Sequence, residues 1–279
     1  MAMTLKDVQE KSYEMLCVID DICRREGVKY FLDGGTEIAS VREKDLIPWD
    51  DDIDIKLELE DYPAFKAAME KHLPEYMHLQ EPDAFVPAFY DFVFRVVDDR
   101  YLLREETDED RYYHNRQNHP GIDVFLHHYI PEGKIRKVLT YGHLKLLYGM
   151  GMGHRYRLDW DKFSAAEKIV VGGMSTVGRL FTARFIYRRY FRAIQKLNRK
   201  PSAVRLSSTV LWREQHRSDW TRETIYGEIR GRQFPIPVGY DAELTNYYGD
   251  YMSPPEDRNR YVQHLDVEER YGYNPNEKA

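Results

Sequence analysis

Four carboxylates occupy five positions at Asp50, Asp51, Asp52 and Asp54, directly before an alternating apolar segment. Like charges this close raise one another's pKa unless a divalent cation binds their lone pairs, and hard oxygen ligands suit Mg²⁺ or Mn²⁺. Successive side chains of a strand point to opposite faces, so Asp52 and Asp54 would share one face. The segment therefore predicts two metal ligands on one rigid element, although a simple acidic turn before a strand would have the same composition.

A glycine pair upstream favours the catalytic interpretation. The stretch 28–33 is typical of a short strand, and it ends at Gly34 and Gly35, followed by Thr36. A strand that stops at paired glycines before a helix leaves free backbone N–H groups and a hydroxyl, which can bind phosphate oxygens. The short segment 35–41 is compatible with such a helix.

A third carboxylate, Asp123, interrupts the apolar run 121–126. A lone aspartate in a buried strand is costly unless something pairs with it. It could cap a neighbouring loop or pair with an arginine, but the acidic run upstream favours a third active-site carboxylate.

The elements that must position these residues alternate between strands and helices. Apolar residues at helical spacing predict amphipathic helices over 5–25 and 59–73. Aromatic and β-branched residues predict one or two strands within 85–97, and the charged stretch 103–120 is typical of a surface loop. This order is typical of a mixed α/β domain, which we assign to residues 1–132.

The remaining residues, 133–279, are predicted to be mostly helical and packed on the first part, with helical spacing over 134–148, 161–172 and 176–198. Between Met174 and Arg213 there are ten Lys or Arg and no Asp or Glu. A solvated basic face would give this pattern. The functional interpretation is a surface, over 179–213, for a phosphate-rich acceptor polymer or for an anionic membrane leaflet.

Composition limits the class of protein. A net charge of −6 over 279 residues argues against a general nucleic-acid binder, so no nucleic-acid partner is expected. Cys17 and Cys23 would lie on different faces of the first helix, which makes a disulfide between them improbable and fits a reducing, cytoplasmic setting. No apolar stretch approaches the length of a membrane span. We expect a cytoplasmic protein, with peripheral membrane contact as the open alternative.

Several blocks, taken in order, resemble the LicD family of bacterial phosphotransferases, which are relatives of the fukutin-type enzymes in the nucleotidyltransferase superfamily. The blocks are Gly34-Gly35-Thr36, Arg42, residues 47–54, residues 121–125, residues 234–237, residues 247–252 and Pro254-Pro255. Two departures stand out: members often have His where this chain has Gly34, and more often carry Pro and Asp in the block after Asp123.

The resemblance implies a nucleotidyltransferase-like α/β (α+β) fold, in which helices flank a mixed sheet, with an additional helical C-terminal half. It also implies transfer of a phospho-substituent, in the best-known members phosphocholine from CDP-choline. The donor would be activated by a cytidine nucleotide. The acceptor would be a hydroxyl of a cell-surface glycan, such as lipopolysaccharide, or of a teichoic-acid precursor.

Roles can then be assigned to residues. Asp52 and Asp54 would hold Mg²⁺ or Mn²⁺ against the donor diphosphate, and Asp123 would complete the metal site or accept the acceptor's proton. The Gly34-Gly35-Thr36 turn would bind phosphate oxygens, and Arg42 would neutralise charge on the departing CMP. The remaining candidates are Lys44 as a phosphate ligand, Asp50, Asp51 and Trp49 in support, and Tyr247, Tyr248 and Tyr251 around a quaternary ammonium group.

Two other functions are compatible with these residues. The same fold could transfer a nucleotidyl group to a small molecule or an RNA end. Alternatively, a catalytically silent module could bind an anionic polymer through residues 179–213, although that leaves the acidic residues unexplained.

Overall fold

The computed structural model describes residues 3–209 and 215–254. Residues 210–213 of the predicted basic surface and Pro255 of the C-terminal block lie outside the described residues. The chain forms a mixed sheet of parallel and antiparallel strands flanked by helices, which confirms the predicted α/β class.

Helix α1, Leu5–Glu26, covers one face of the sheet. It begins at a capping box, in which the Thr4 hydroxyl accepts from the Asp7 N–H and the Asp7 carboxylate accepts from the Thr4 N–H. It ends at Gly27, whose φ of 68° favours glycine. Leu16 and Ile19 are fully buried in the core, so the helix predicted over 5–25 is confirmed.

Five strands from the first part of the chain lie in the order β1-β2-β5-β4-β3. Their bounds are β1 Phe31–Leu32, β2 Asp54–Glu58, β3 Met77–Gln80, β4 Phe94–Asp98 and β5 Gly121–Tyr129. Only β2 and β5 are parallel. The helices between them are α2 Gly34–Ile38, α3 Tyr62–His72 and α4 Asp108–Tyr112. Sequence analysis missed β3, and it missed α4 inside the predicted loop 103–120.

Four further helices belong to the second part: α5 Lys134–Gly151, α6 Ala165–Gly178, α7 Ala183–Asn198 and α8 Tyr240–Tyr248. The helices predicted over 161–172 and 176–198 start earlier in the sequence than α6 and α7 do in the structure. Ser164 and Thr182 explain the true starts, because their hydroxyls accept from the backbone N–H groups of Glu167 and Phe185.

The second part also contains strands that sequence analysis did not predict as such. They are β6 Val204–Ser207, β7 Gln215–Arg217, β8 Thr224–Ile229 and β9 Arg232–Pro237. Strands β8 and β9 form a hairpin. Strand β6 joins the main sheet at β5.

Strand β5 changes partner along one of its edges. Residues 121–124 pair with β4, and residues 127–129 pair with β6 on that same edge, while β2 occupies the other edge. The central strand is therefore shared by early and late parts of the chain.

Two large apolar clusters hold these layers together. The first lies between the sheet, α1 and α3, and it includes Phe234 and Ile236 of β9. The second lies where α5 and α7 pack around Phe89 and Phe92. The division of the chain at residue 132 stays a prediction.

Among the described residues, no single helix has the length and apolar character needed to cross a membrane. Helices α6 and α7 taken together are the one pair in the described part of the chain that passes that test of length and composition, and they are bent by 108° relative to each other.

Candidate active site

Asp54 and Asp123 are neighbours in the sheet. They begin the parallel pairing of β2 with β5 and are opposite each other in register, so their side chains lie on one face. The Asp123 N–H donates to Ile53 O at 3.1 Å. The hydroxyl of Thr36 accepts from the Asp54 N–H at 2.9 Å. The structure thus brings Asp54 of the acidic run next to Asp123, whereas the catalytic roles of these residues stay predictions.

The other carboxylates of the run lie in the loop before β2. Oxygen atoms of Asp50, Asp51 and Asp52 lie within 4.8 Å of one another, a group that does not include Asp54 or Asp123. Burial, followed by the charge of Asp52, raises the pKa of Asp50 well above its usual value. Burial likewise raises the pKa of Asp54, and Asp52 and Asp123 add to the effect. Carboxyl groups are therefore crowded at the start of β2, where burial and mutual repulsion oppose their ionisation.

The two glycines allow close approach to this charge. Gly34 has a φ of +50°, and a Cβ there would lie 3.1 Å from the hydroxyl of Tyr248 and 3.7 Å from Oδ2 of Asp54. A Cβ at Gly35 would lie 2.7 Å from Oδ2 of Asp50. Helix α8 thus brings Tyr248, one of the tyrosines proposed to surround an ammonium group, over the glycine turn.

The other predicted site residues contact different parts of the fold. Thr36 is buried and positions Asp54 through the hydrogen bond above. Arg42 donates to Tyr251 O at 2.6 Å and contacts Glu43, so it binds the C-terminal block. Lys44 donates to Ser40 O at 3.2 Å. Trp49 packs against the cluster around Ile38 and Tyr251. The phosphate-binding roles of Arg42 and Lys44 stay predictions.

Arg95 is a site residue that sequence analysis missed. It is opposite Asp123 in the β4–β5 pairing, and its Nε donates to Oδ1 of Asp123 at 2.5 Å. Burial opposes its charge, but Asp123 raises the pKa of Arg95 above its usual value. The signal was present, since a single arginine interrupts the apolar strand β4 just as Asp123 interrupts β5.

A second group that sequence analysis did not predict is centred on Asp91. The Tyr148 hydroxyl, on α5, donates to Asp91 Oδ2 at 3.0 Å, and Arg155 donates to Tyr90 O at 2.8 Å and to the Tyr148 hydroxyl at 2.9 Å. Burial raises the pKa of Asp91, and the charge of Asp123 contributes in the same direction. These residues come from two loops and a helix, so no local pattern marks them.

Two residues beyond Asp54 on the same face of β2, Lys56 is 1% exposed and surrounded by carboxylates. Its Nζ lies 2.6 Å from Glu243, 2.8 Å from Glu37 and 3.1 Å from Asp33. Despite burial, Lys56 lowers the pKa of Glu243. Burial raises the pKa of Glu37 well above its usual value. This network connects β2 to α2 and α8.

Comparison with known proteins agrees with this geometry. Residues 27–145 match the family described as LicD/FKTN/FKRP, nucleotidyltransferase domain. The chain is 24% identical over 274 residues to the lipopolysaccharide cholinephosphotransferase LicD of Haemophilus influenzae, covering 94% of this chain and 97% of that protein. It is also 24% identical over 179 residues to an uncharacterized protein of Rickettsia prowazekii, covering 58% and 64% of the two chains. Residues 27–145 therefore form a LicD-family nucleotidyltransferase domain, and the similarity to the Haemophilus protein extends over nearly the full length of both chains.

Proposed function

We propose that the chain transfers phosphocholine, or a related phosphoalkyl or phosphonate group, from a cytidine-nucleotide-activated donor to a hydroxyl of a cell-surface glycan or teichoic-acid precursor. The observation that carries this proposal is the pair Asp54 and Asp123, in register on parallel strands beneath a glycine turn. The Haemophilus relative, named a lipopolysaccharide cholinephosphotransferase, supports the same reaction class.

Mg²⁺ or Mn²⁺ is the proposed cofactor, with Asp52, Asp54 and Asp123 as ligands. The raised pKa of Asp54 supports this assignment, because burial and neighbouring carboxylates make its ionised form costly, and a bound cation would relieve that cost. Carboxylate oxygens are the ligands that these ions prefer. When bound, the ion would neutralise the donor diphosphate and the leaving CMP.

The proposed reaction is a displacement at the phosphorus of the donor. The acceptor hydroxyl oxygen attacks the phosphorus that carries the choline, and the bond from that phosphorus to the CMP oxygen breaks. The hydroxyl proton passes to a carboxylate. Asp123 is the proposed acceptor when it is not a metal ligand, and Arg95 orients its carboxylate by the 2.5 Å hydrogen bond to Oδ1.

The glycine turn is proposed to receive the donor's phosphates. Gly34 and Gly35 begin α2, so their N–H groups have no partner within that helix, and the missing side chains leave room for a close approach. Tyr248 is the best-supported candidate for contact with the choline group, because its hydroxyl lies over Gly34. The proposed location is cytoplasmic.

A donor panel tests the proposal. The full chain would be incubated with CDP-choline, CDP-ethanolamine, CMP-phosphonates or nucleoside triphosphates, with Mg²⁺, with Mn²⁺ or with EDTA, and the products would be weighed by mass spectrometry. We expect metal-dependent CMP release from a CDP-linked donor and an acceptor heavier by the phospho-substituent.

Two results would contradict the proposal. Diphosphate release from a nucleoside triphosphate, with a nucleotidylated product, would indicate a nucleotidyltransferase. Absence of turnover together with absence of Mg²⁺ or Mn²⁺ binding in calorimetry with CDP-choline present would indicate a silent binding module.

A further inference from the structure

The outer surface of helices α5, α6 and α7 is unusually apolar for a face in contact with water. Among the described residues, sixteen large apolar side chains are exposed, and eleven of these lie between Ile135 and Phe185. Single exposed apolar residues are normal on a protein surface, whereas a concentration of them marks an interaction site.

Helix α5 has two apolar faces. One face, with Leu144, Leu147 and Met150, is buried in the second apolar cluster. The other face has Ile135 at 77% and Leu139 at 68% exposure, with Val138 and Leu146 beside them. These residues recur at steps of three, four and seven, so they form one stripe along the helix. The protein core therefore accounts for only one of the two stripes.

Helix α6 continues the exposed surface. Its inner side touches α5 at close range, since a Cβ at Gly178 would lie 1.9 Å from Met150 O. Its outer side carries Ile169 at 78% exposure together with Val170 and Val177, and Leu180 just beyond the helix is 79% exposed. The glycine contact holds α6 against the molecule while its apolar outer side faces solvent.

Positive charge borders this apolar surface. Helices α5 and α7 together contain nine Lys or Arg and no Asp or Glu. Between them is a groove of about 1260 Å³ whose lining includes Lys134, Arg136, Arg189, Arg192, Lys196 and Lys200. A second copy of the same surface would bring these charges against each other, which disfavours self-association as the way of covering it.

We propose that the α5–α6–α7 surface docks on an anionic membrane, with the apolar stripes of α5 and α6 entering the headgroup region and the cations of the groove contacting lipid phosphates. Apolar side chains beside Lys and Arg on helices that lie parallel to a bilayer are the pattern of peripheral binding. The sequence predicted a binding surface over 179–213, but Ile186, Tyr190 and Ile194 of that segment are buried. The proposed surface therefore extends to α5 and α6.

Docking would bring the candidate active site to the membrane. Helix α5 carries the exposed stripe between Ile135 and Leu146, and near its end the hydroxyl of Tyr148 donates to Asp91, whose pKa is raised in part by the charge of Asp123. If the chain has the proposed function, this arrangement favours one kind of acceptor. It favours a glycan carried on a lipid at the membrane surface over a glycan free in solution.

Co-sedimentation of the full chain with lipid vesicles tests the docking without any donor or acceptor, so its result does not depend on the proposed reaction. We expect binding to phosphatidylglycerol vesicles, at least about tenfold weaker binding to phosphatidylcholine vesicles, and weakening in high salt. Ile169→Ser with Leu180→Ser should weaken binding about tenfold or more, because two aliphatic side chains no longer enter the bilayer. Arg189→Gln with Arg192→Gln should weaken binding to the anionic vesicles alone.

The matched control is Tyr226→Ser, which removes another exposed apolar side chain, 55% accessible and outside the surface. It should bind as the unmodified chain does, and all variants should keep their thermal midpoint. Equal binding to both lipids, or unchanged binding of the Ile169 and Leu180 variant, would overturn the proposal. So would a dimer that dissociates in that variant without any vesicle binding, or resistance of bound protein to alkaline carbonate, which would indicate insertion of α6 and α7.

Discussion

Asp54 and Lys56 lie two residues apart on the same face of β2, yet their surroundings differ in charge balance. Around Asp54, the carboxylates of Asp52 and Asp123 add to its own, and Arg95 pairs with Asp123. Around Lys56, a single buried cation contacts Glu37, Glu243 and Asp33 directly. The group around Asp54 consists of carboxylates that repel one another next to the glycine turn. The group around Lys56 is organised around a cation of the chain itself.

The difference separates two uses of acidic side chains. Carboxylates around a protein cation connect elements of the fold, whereas carboxylates that face one another without such a cation favour a bound metal ion or a shared proton. Substitutions at the two positions should therefore affect different measurements, activity at Asp54 and stability at Lys56.

The largest effect is expected for Asp54→Asn. Loss of this proposed metal ligand should reduce metal-dependent CMP release by about 10³-fold or more. Folding should not suffer, because the raised pKa of Asp54 means that its ionised form costs stability once the pH exceeds that pKa. A neutral asparagine removes this cost, so the thermal midpoint of the metal-free protein at pH 8 should stay the same or rise.

Asp99→Asn is a matched control, because this carboxylate is half exposed at the surface near His78. It should leave both CMP release and the thermal midpoint unchanged. Full turnover by the Asp54 variant, or a marked loss of its thermal midpoint, would remove the distinction between the two groups.

Lys56→Met should act on stability. Removing the cation leaves three carboxylates facing one another in a buried site, and breaking such a buried ion pair costs about 3–5 kcal/mol. Urea unfolding followed by circular dichroism would measure the loss. Lys66→Met removes the partly exposed pair with Glu81 and should cost about 1 kcal/mol or less. Similar losses in the two variants would contradict the role assigned to Lys56.

The smallest effect is expected for Glu37→Gln, and it depends on pH. The pKa of Glu37 is raised in the folded protein, so its contribution to stability is complete at low pH and is lost as the pH rises through that folded pKa. Glutamine resembles the protonated acid. The variant should be more stable than the unmodified chain at pH 8.5, by about 1 kcal/mol for each unit of pKa shift that is relieved, and the gain should be smaller at pH 6, which is closer to the unfolded pKa.

Glu243→Gln provides the opposite case within the same network. The pKa of Glu243 is lowered, so its contribution is present above its unfolded pKa and is lost only as the pH falls. This variant should be destabilised at both pH 6 and pH 8.5. Urea unfolding at the two pH values distinguishes the pair, and parallel behaviour of the two variants would count against the assigned charges.

Sequence reasoning reached the parts of the site that have local signatures. The acidic run and the lone Asp123 are visible because carboxylates are costly beside apolar strand residues, and the strand pairing confirms that Asp54 meets Asp123. Arg95 and Lys56 were missed because one cation in a strand does not reveal its partner. Asp123 lies 28 residues from Arg95, and Glu243 lies 187 residues from Lys56.

The predicted fold class was also reached from local patterns, whereas some elements were not. Helix α1 has a capping box and helix α5 has long apolar periodicity, and both were predicted close to their true bounds. Strand β6 was missed because its four residues, Val204–Ser207, acquire their conformation from pairing with β5. Such a strand depends on a partner almost 80 residues earlier, which no short window of sequence can represent.

The shared edge of β5 has a consequence for synthesis on the ribosome. Residues 127–129 acquire their partner only when Arg205, Leu206 and Ser207 have left the exit tunnel. At about 5–20 residues per second, the nascent chain spends several seconds or more with the central strand partly unpaired. An open strand edge can pair with another chain, so this interval is when newly made molecules are most vulnerable to aggregation and have most need of a chaperone.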